Sequence, residues 1–209
     1  MKKYIFDFDG TLVDSMTLWA EWVASELDKS NIKYPDTMVK DVCPLGTVGV
    51  AEYMYNLGYG ESVDEVVKKL DDFAVYEYTY NIPMKPYAHE KLFELKSKGY
   101  SVNLLTACNH NLLDVCLRRL GIFELFDNIW SCEEDLSANK SEKRVYDIAI
   151  KKLDTVAENC IFVDDNVIAV RTAKSAGMYG VGIYDEASKD FENEMKETAD
   201  RYIYSFKEL

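Results

Sequence analysis

The strongest constraint on this chain is a rhythm that sets in at Pro83, where short apolar runs alternate with helix-length amphipathic segments. A helix is predicted over residues 87–98, stopping near Gly99, and a short apolar strand follows at 100–105. A second helix, 110–120, stops at Gly121; a weaker strand covers 128–131, and a third helix covers 141–152. Residues 160–163 are wholly apolar and run straight into Asp164-Asp165-Asn166. A helix at 167–176 then ends at Gly177, with further strands predicted at 181–184 and 202–204. A strand that is apolar on both faces must be covered on both, and short strands separated by helices form a parallel sheet. The expected fold class is α/β, with helices on both faces of a parallel sheet. Ligands of such sheets bind beyond the carboxyl ends of the strands.

The first strand is predicted within residues 1–13, where Lys3-Tyr4-Ile5-Phe6 leads into Asp7-Phe8-Asp9-Gly10-Thr11. Alternate residues of an extended segment point the same way, so Asp7 and Asp9 project from one side at its end. Two neighbouring carboxylates repel unless a cation or a shared proton separates them. Asp-Gly between apolar residues is also a hairpin signal, but no second strand pairs back. Met16, Trp19, Ala20, Val23 and Leu27 instead recur at helical spacing, with Asp14 or Ser15 placed to cap the helix.

Residues 15–82 read as helical, with further apolar faces at Val50/Tyr53/Met54/Leu57 and at Val63/Val66/Val67/Leu70/Phe73. Breaks fall at Pro35, at Pro44 with Gly46, and at Gly58 with Gly60. Tyr76, Tyr78 and Tyr80 alternate and could equally lie in an extended segment. This all-helical stretch interrupts the alternation just after the first strand. The expected organisation is therefore a core domain of residues 1–14 and 83–209 with an inserted helical domain, 15–82.

A net charge of −13 argues against binding nucleic acid or an anionic membrane, both of which need basic surface. A phosphorylated substrate would meet this field unfavourably without a bound cation. The five cysteines (Cys43, Cys108, Cys116, Cys132, Cys160) form no C-x-x-C, and no secretory leader is recognisable. They are expected to be reduced thiols in a cytoplasmic protein. His89 and His110 are the only histidines, so a metal would have oxygen rather than imidazole ligands.

Three strand ends thus carry polar groups of useful chemistry: Asp7 and Asp9; Thr106; and Asp164 with Asp165. Asp164-Asp165-Asn166 could also serve only to cap the helix behind it. Lys140, in the loop before a helix, could bring a positive charge to the same place. Together and in this order, the residues resemble the haloacid dehalogenase-like hydrolase superfamily, in the subgroup with a helical cap inserted after the first motif. Asp7-Phe8-Asp9-Gly10-Thr11 matches the D-x-D-G-T/V motif in full, and Leu104-Leu105-Thr106-Ala107 is similar to the second. Lys140-Ser141-Glu142-Lys143-Arg144-Val145-Tyr146 is similar to the K-P-x-P-x-I-F/Y run without its prolines, which leaves Lys143 as an alternative to Lys140. Val163-Asp164-Asp165-Asn166 resembles the fourth motif, followed by a helix ending in Ala176-Gly177-Met178.

The resemblance implies a Rossmann-like three-layer core with a cap, and a phosphatase acting on a small phosphorylated metabolite. It implies Asp7 as nucleophile and Asp9 as general acid and base. Mg²⁺ would be held by Asp7, the Asp9 carbonyl and Asp165, with Asp164 as a ligand or close partner. Thr106, Ala107 and Lys140 would bind the substrate phosphate, and the cap would close to exclude water. A sugar-phosphate mutase like β-phosphoglucomutase is the alternative, but the stretch Pro44-Leu45-Gly46-Thr47-Val48-Gly49 lacks the basic residues such a cap uses for a second phosphate. A non-catalytic binding protein would be expected to have lost some of these acids. A monomer or weak homodimer is expected. Specificity would lie in the cap, with Leu45, Gly46, Thr47, Tyr76, Tyr78 and Tyr80 as candidates; Trp19 and Trp22 are expected to pack inside it.

Overall fold

The computed structural model describes residues 1–42 and 45–209, so Cys43 and Pro44 lie outside the described residues. The chain divides into two compact units: Met1–Asp14 with Pro83–Leu209, and Ser15–Ile82.

The larger unit is built on six parallel strands. They are β1 (Lys3–Phe6), β2 (Ser101–Thr106), β3 (Asn128–Ser131), β4 (Cys160–Asp164), β5 (Tyr179–Ile183) and β6 (Arg201–Ile203), in the order β3-β2-β1-β4-β5-β6. The order reverses beside β1: the chain first builds outward through β2 and β3, then crosses back to β4. Phe6 lies opposite Leu104 on one side and Val163 on the other, so the ends of β1 and β4 are level. Asp7 N–H continues the ladder by donating to Val163 O at 2.9 Å. The crevice of a doubly wound sheet opens at such a reversal, beyond the strand ends.

Helices cover both faces, as the apolar strands require. One face presents Ile5, Leu105 and Phe162 to a fully buried layer that includes Val145, Tyr146, Ala149, Ala169 and Ala173. Those residues belong to α8 (Lys143–Lys152) and α9 (Val167–Ser175). Right-handed crossovers place α5 (Ala88–Ser97) and α6 (His110–Arg119) on the opposite face. Two short helices escape the periodicity: α7 (Cys132–Leu136) directly after β3, and α10 (Glu192–Thr198) before β6.

In the smaller unit, α1 (Met16–Lys29), α2 (Met38–Val42), α3 (Thr47–Asn56) and α4 (Val63–Tyr80) surround a core that includes Val23, Leu27, Ala51, Met54, Val66 and Leu70. Tyr76, Tyr78 and Tyr80 are helical rather than extended, because α4 runs unbroken to Tyr80. Its N-terminus is well specified, with Ser62 accepting from Glu65 N–H and two acids in the first turn. Trp19 and Trp22 both pack on Phe73, with ring centroids 5.6 and 5.1 Å away. Ser15 takes the N-cap position of α1, yet its side chain makes no capping bond.

Candidate active site

The turn after β1 is sharp because Gly10 takes φ +75°, in the left-handed region that favours glycine. A Cβ there would stand 2.7 Å from both carboxylate oxygens of Asp165, so the turn and the end of β4 touch. Thr11, fully buried, locks that contact in both directions. Its hydroxyl donates to Asp165 Oδ1 at 3.0 Å and accepts from Asp165 N–H at 3.1 Å.

Asp7, Asp164 and Asp165 are thereby brought together, with one carboxylate oxygen from each inside a 4.8 Å group. Asp7 and Asp164 are buried, and Asp165 is half-buried. Lys140 Nζ sits between the first two, donating to Asp164 Oδ2 at 2.8 Å and forming a closer ion pair with Asp7. Burial works against its charge, but Asp164 and Asp7 outweigh it and hold its pKa well above the usual lysine value. Lys143 is elsewhere, paired with Asp147 on an exposed face of α8 at 2.6 Å.

What fixes Lys140 is Tyr146, the largest fully buried side chain among the described residues. Its hydroxyl lies 2.9 Å from Lys140 O and 3.0 Å from Ala169 O, tying the lysine's backbone to α9. Asn166 caps α9 by accepting from Ile168 and Ala169 N–H at 2.9 and 3.3 Å. Capping therefore falls to Asn166, leaving Asp165 facing the turn and Asp164 on Lys140. Thr106 ends β2, buried, with its hydroxyl accepting from Cys108 N–H at 3.0 Å. Ala107, next in the chain, is exposed, and Asp9 is half-buried just past Asp7.

The electrostatics of the three acids is unbalanced. Burial raises the Asp164 pKa to about 7, with Lys140 offsetting part of the effect. Asp165 is driven well above the usual carboxylate range by burial, then by Asp164, Asp7 and Asp185, with Lys85 opposing. Three crowded carboxylates against one ammonium group can accommodate a further cation. The donors are all oxygen, the set that hard divalent ions such as Mg²⁺ prefer.

Two features of this region carry no local signal in the sequence. Lys85 and Asp185 form a buried ion pair at 2.8 Å, their side chains 12% and 1% accessible. Lys85 also donates to Tyr184 O at 2.8 Å. This pair anchors the returning chain, since Asp14 N–H donates to Pro83 O and Lys85 N–H to Leu12 O, at 3.0 and 2.9 Å. Thr11 is the second feature: it stands in the first motif, but its partner is 154 positions away.

A sequence model described as haloacid dehalogenase-like hydrolase matches residues 1–177. Hexitol phosphatase B of Escherichia coli strain K12 is 27% identical over 184 residues, covering 85% of this chain and 81% of that protein. The glyceraldehyde 3-phosphate phosphatase of Methanocaldococcus jannaschii is 27% identical across the whole chain and 95% of its own length. Among solved structures, a hydrolase of Deinococcus radiodurans R1 with bound phosphate and sodium superposes with a TM-score of 0.79. It is 19% identical, over 100% of this chain and 93% of that one, and shows likeness of fold.

Proposed function

The chain belongs to the haloacid dehalogenase-like hydrolases, and from that premise we propose that it is a Mg²⁺-dependent phosphatase of small phosphorylated metabolites. The observation that carries this reading is the group Asp7, Asp164 and Asp165 at the ends of β1 and β4, with Lys140 between Asp7 and Asp164. Relatives named as phosphatases of hexitols and of glyceraldehyde 3-phosphate support the substrate class.

The chemistry divides between the two acids of the first motif. An Asp7 carboxylate oxygen attacks phosphorus, and the bond from phosphorus to the leaving oxygen breaks. Asp9 protonates that oxygen as the alcohol departs. It then takes a proton from water, which attacks the aspartyl-phosphate, releases inorganic phosphate and restores Asp7. Lys140 and Thr106 hold non-bridging oxygens, with the Ala107 backbone beside them, and Lys140 keeps Asp7 oriented. Mg²⁺ would be held by Asp7, the Asp9 carbonyl and Asp165, with Asp164 alongside; it would offset the charge that nucleophile and phosphate bring together.

The helical unit Ser15–Ile82 is read as the cap that selects the leaving group. Leu45–Gly49 carries no basic residue, which favours hydrolysis over a mutase that must hold a second phosphate. The unbridged cysteines Cys116, Cys132 and Cys160 suit a reducing cytoplasm.

The test is phosphate release from a broad panel of phosphorylated metabolites with Mg²⁺, run beside Asp7→Asn. Turnover of at least one sugar or polyol phosphate is expected, and the variant should be inactive. A wild-type protein inert on every member, or an Asp7→Asn variant with full activity, refutes the reading.

A further inference from the structure

The loop after β2 leads from Thr106 into α6, and the N-terminus of that helix is held from outside. Asn109, its N-cap residue, makes no side-chain capping bond, and the first turn contains no acid. Acids arrive instead from α7. Glu134 Oε2 accepts from His110 N–H at 2.8 Å, satisfying one of the N–H groups a helix start leaves open. The ring of His110 is bound on both sides, Nδ1 to Asp114 Oδ1 at 3.0 Å and Nε2 to Asp135 Oδ2 at 2.8 Å. The same Asp135 oxygen accepts from Ser131 N–H at 2.7 Å, at the end of β3. One side chain therefore joins the first turn of α6, the helix α7 and the strand beside β2.

Ionised carboxylates only accept hydrogen bonds, so a ring bonded to one at each nitrogen must donate from both. A neutral imidazole has one N–H and can keep one of the two bonds. The clamp is complete only with the imidazolium. We propose that His110 is a positioning residue for the phosphate-binding loop, its imidazolium clamping α6 to α7 and holding Thr106–Asn109 in place.

The inference rests on Thr106 and Ala107 as phosphate ligands, and it gives that grip a dependence on pH. Hydrogen bonds donated by the ring to Asp114 and Asp135 raise the His110 pKa above 6.5, burial opposing them. The facing groups are Asp114 on its own helix and Glu134 and Asp135 on α7, all acidic. A histidine whose folded pKa is raised contributes its full stabilisation below the unfolded value, near 6.5. That contribution is lost as pH rises through the folded pKa. The loop is thus held most firmly in mildly acidic solution and loosens on the alkaline side of the His110 titration.

The full-length chain with Mg²⁺ tests this by NMR. It has two histidines, and His110→Gln assigns which ring signal is which. In the wild type, the amide signals of Ala107, Cys108 and Asn109 should shift with the midpoint of the His110 ring; in His110→Gln that midpoint should vanish. Asp135→Asn should lower the midpoint while keeping the ring. The KM for p-nitrophenyl phosphate should rise about threefold to fivefold across the same midpoint with kcat held, the size expected of a part-exposed ion pair. In His110→Gln it should stay high at every pH. Loop amides that ignore the ring titration overturn the proposal, as does a His110→Gln variant with the wild-type KM profile. Absence of turnover on any phosphate ester defeats the phosphatase reading instead, while the amide titration still decides the clamp.

Discussion

Replacing Gly10 with alanine tests whether the contact between the first turn and Asp165 matters to chemistry as well as to folding. Two costs can be worked out separately. The backbone sits at φ +75°, where a residue with a Cβ loses about 1–2 kcal/mol. The new Cβ would also lie 2.7 Å from both Asp165 oxygens and 2.8 Å from Cγ, roughly 0.7 Å short of the 3.4 Å at which ordinary contact begins. Asp165 cannot simply turn aside, because Thr11 holds its Oδ1 at 3.0 Å and its N–H at 3.1 Å. Breaking that pair adds about 1 kcal/mol or more. The expected stability loss is about 2–3 kcal/mol, read by urea denaturation. Displacement of an acid by this distance should lower kcat/KM by on the order of a hundredfold. Gly99→Ala is the control: it has φ +80° and nothing within 4 Å of the new Cβ, so it should lose about 1–2 kcal/mol and keep its activity. If Gly10→Ala matches Gly99→Ala in kcat/KM, the contact with Asp165 has no catalytic consequence and the reasoning fails.

Asp7→Asn should reduce turnover by on the order of 10⁴-fold while leaving the circular dichroism spectrum unchanged; comparable turnover would exclude Asp7 as nucleophile. Lys85→Met leaves Asp185 buried and unpaired and should cost about 3–5 kcal/mol in urea denaturation. Adding Asp185→Asn should restore much of that loss, and a single variant as stable as wild type would show the pair to be inert. Tyr146→Phe removes the hydroxyl that both Lys140 O and Ala169 O use, for a loss of about 1–3 kcal/mol by thermal denaturation. Mg²⁺ affinity measured by calorimetry should fall as pH drops through about 7, because without the ion Asp164 takes up a proton there and proton and metal compete. An affinity constant from pH 8 to pH 5 would refute this.

What the sequence settles here is local. The wholly apolar run at 160–163 demands burial on both faces, and the breaks at Gly99, Gly121 and Gly177 end helices where the structure ends them, within a residue or two. Residues that follow a strand directly must lie at its carboxyl end, so Asp7, Thr106, Asp164 and Asp165 were legible as site candidates from position alone. Short elements were not: α7 offers Cys132 and Leu136 as its buried residues, and α10 only Met195, too few to show a period.

Tertiary structure decided what depends on strand order and on distant partners. Spacing says that several strands end in polar residues. Only the order β3-β2-β1-β4-β5-β6 makes β1 and β4 neighbours, so that Asp7 meets Asp164 and Asp165. Lys140 rather than Lys143 stands between Asp7 and Asp164, because Tyr146 pins the Lys140 backbone beside α9 while Lys143 falls on the exposed face of α8. Thr11 with Asp165, Lys85 with Asp185 and His110 with Asp135 join residues far apart in the chain. A hydrogen bond or ion pair leaves no periodic trace, because its partner is supplied by the fold. Periodicity in this chain specifies the sheet and the strand ends; the folding of those ends onto one another gathers scattered acids and a lysine into one cluster.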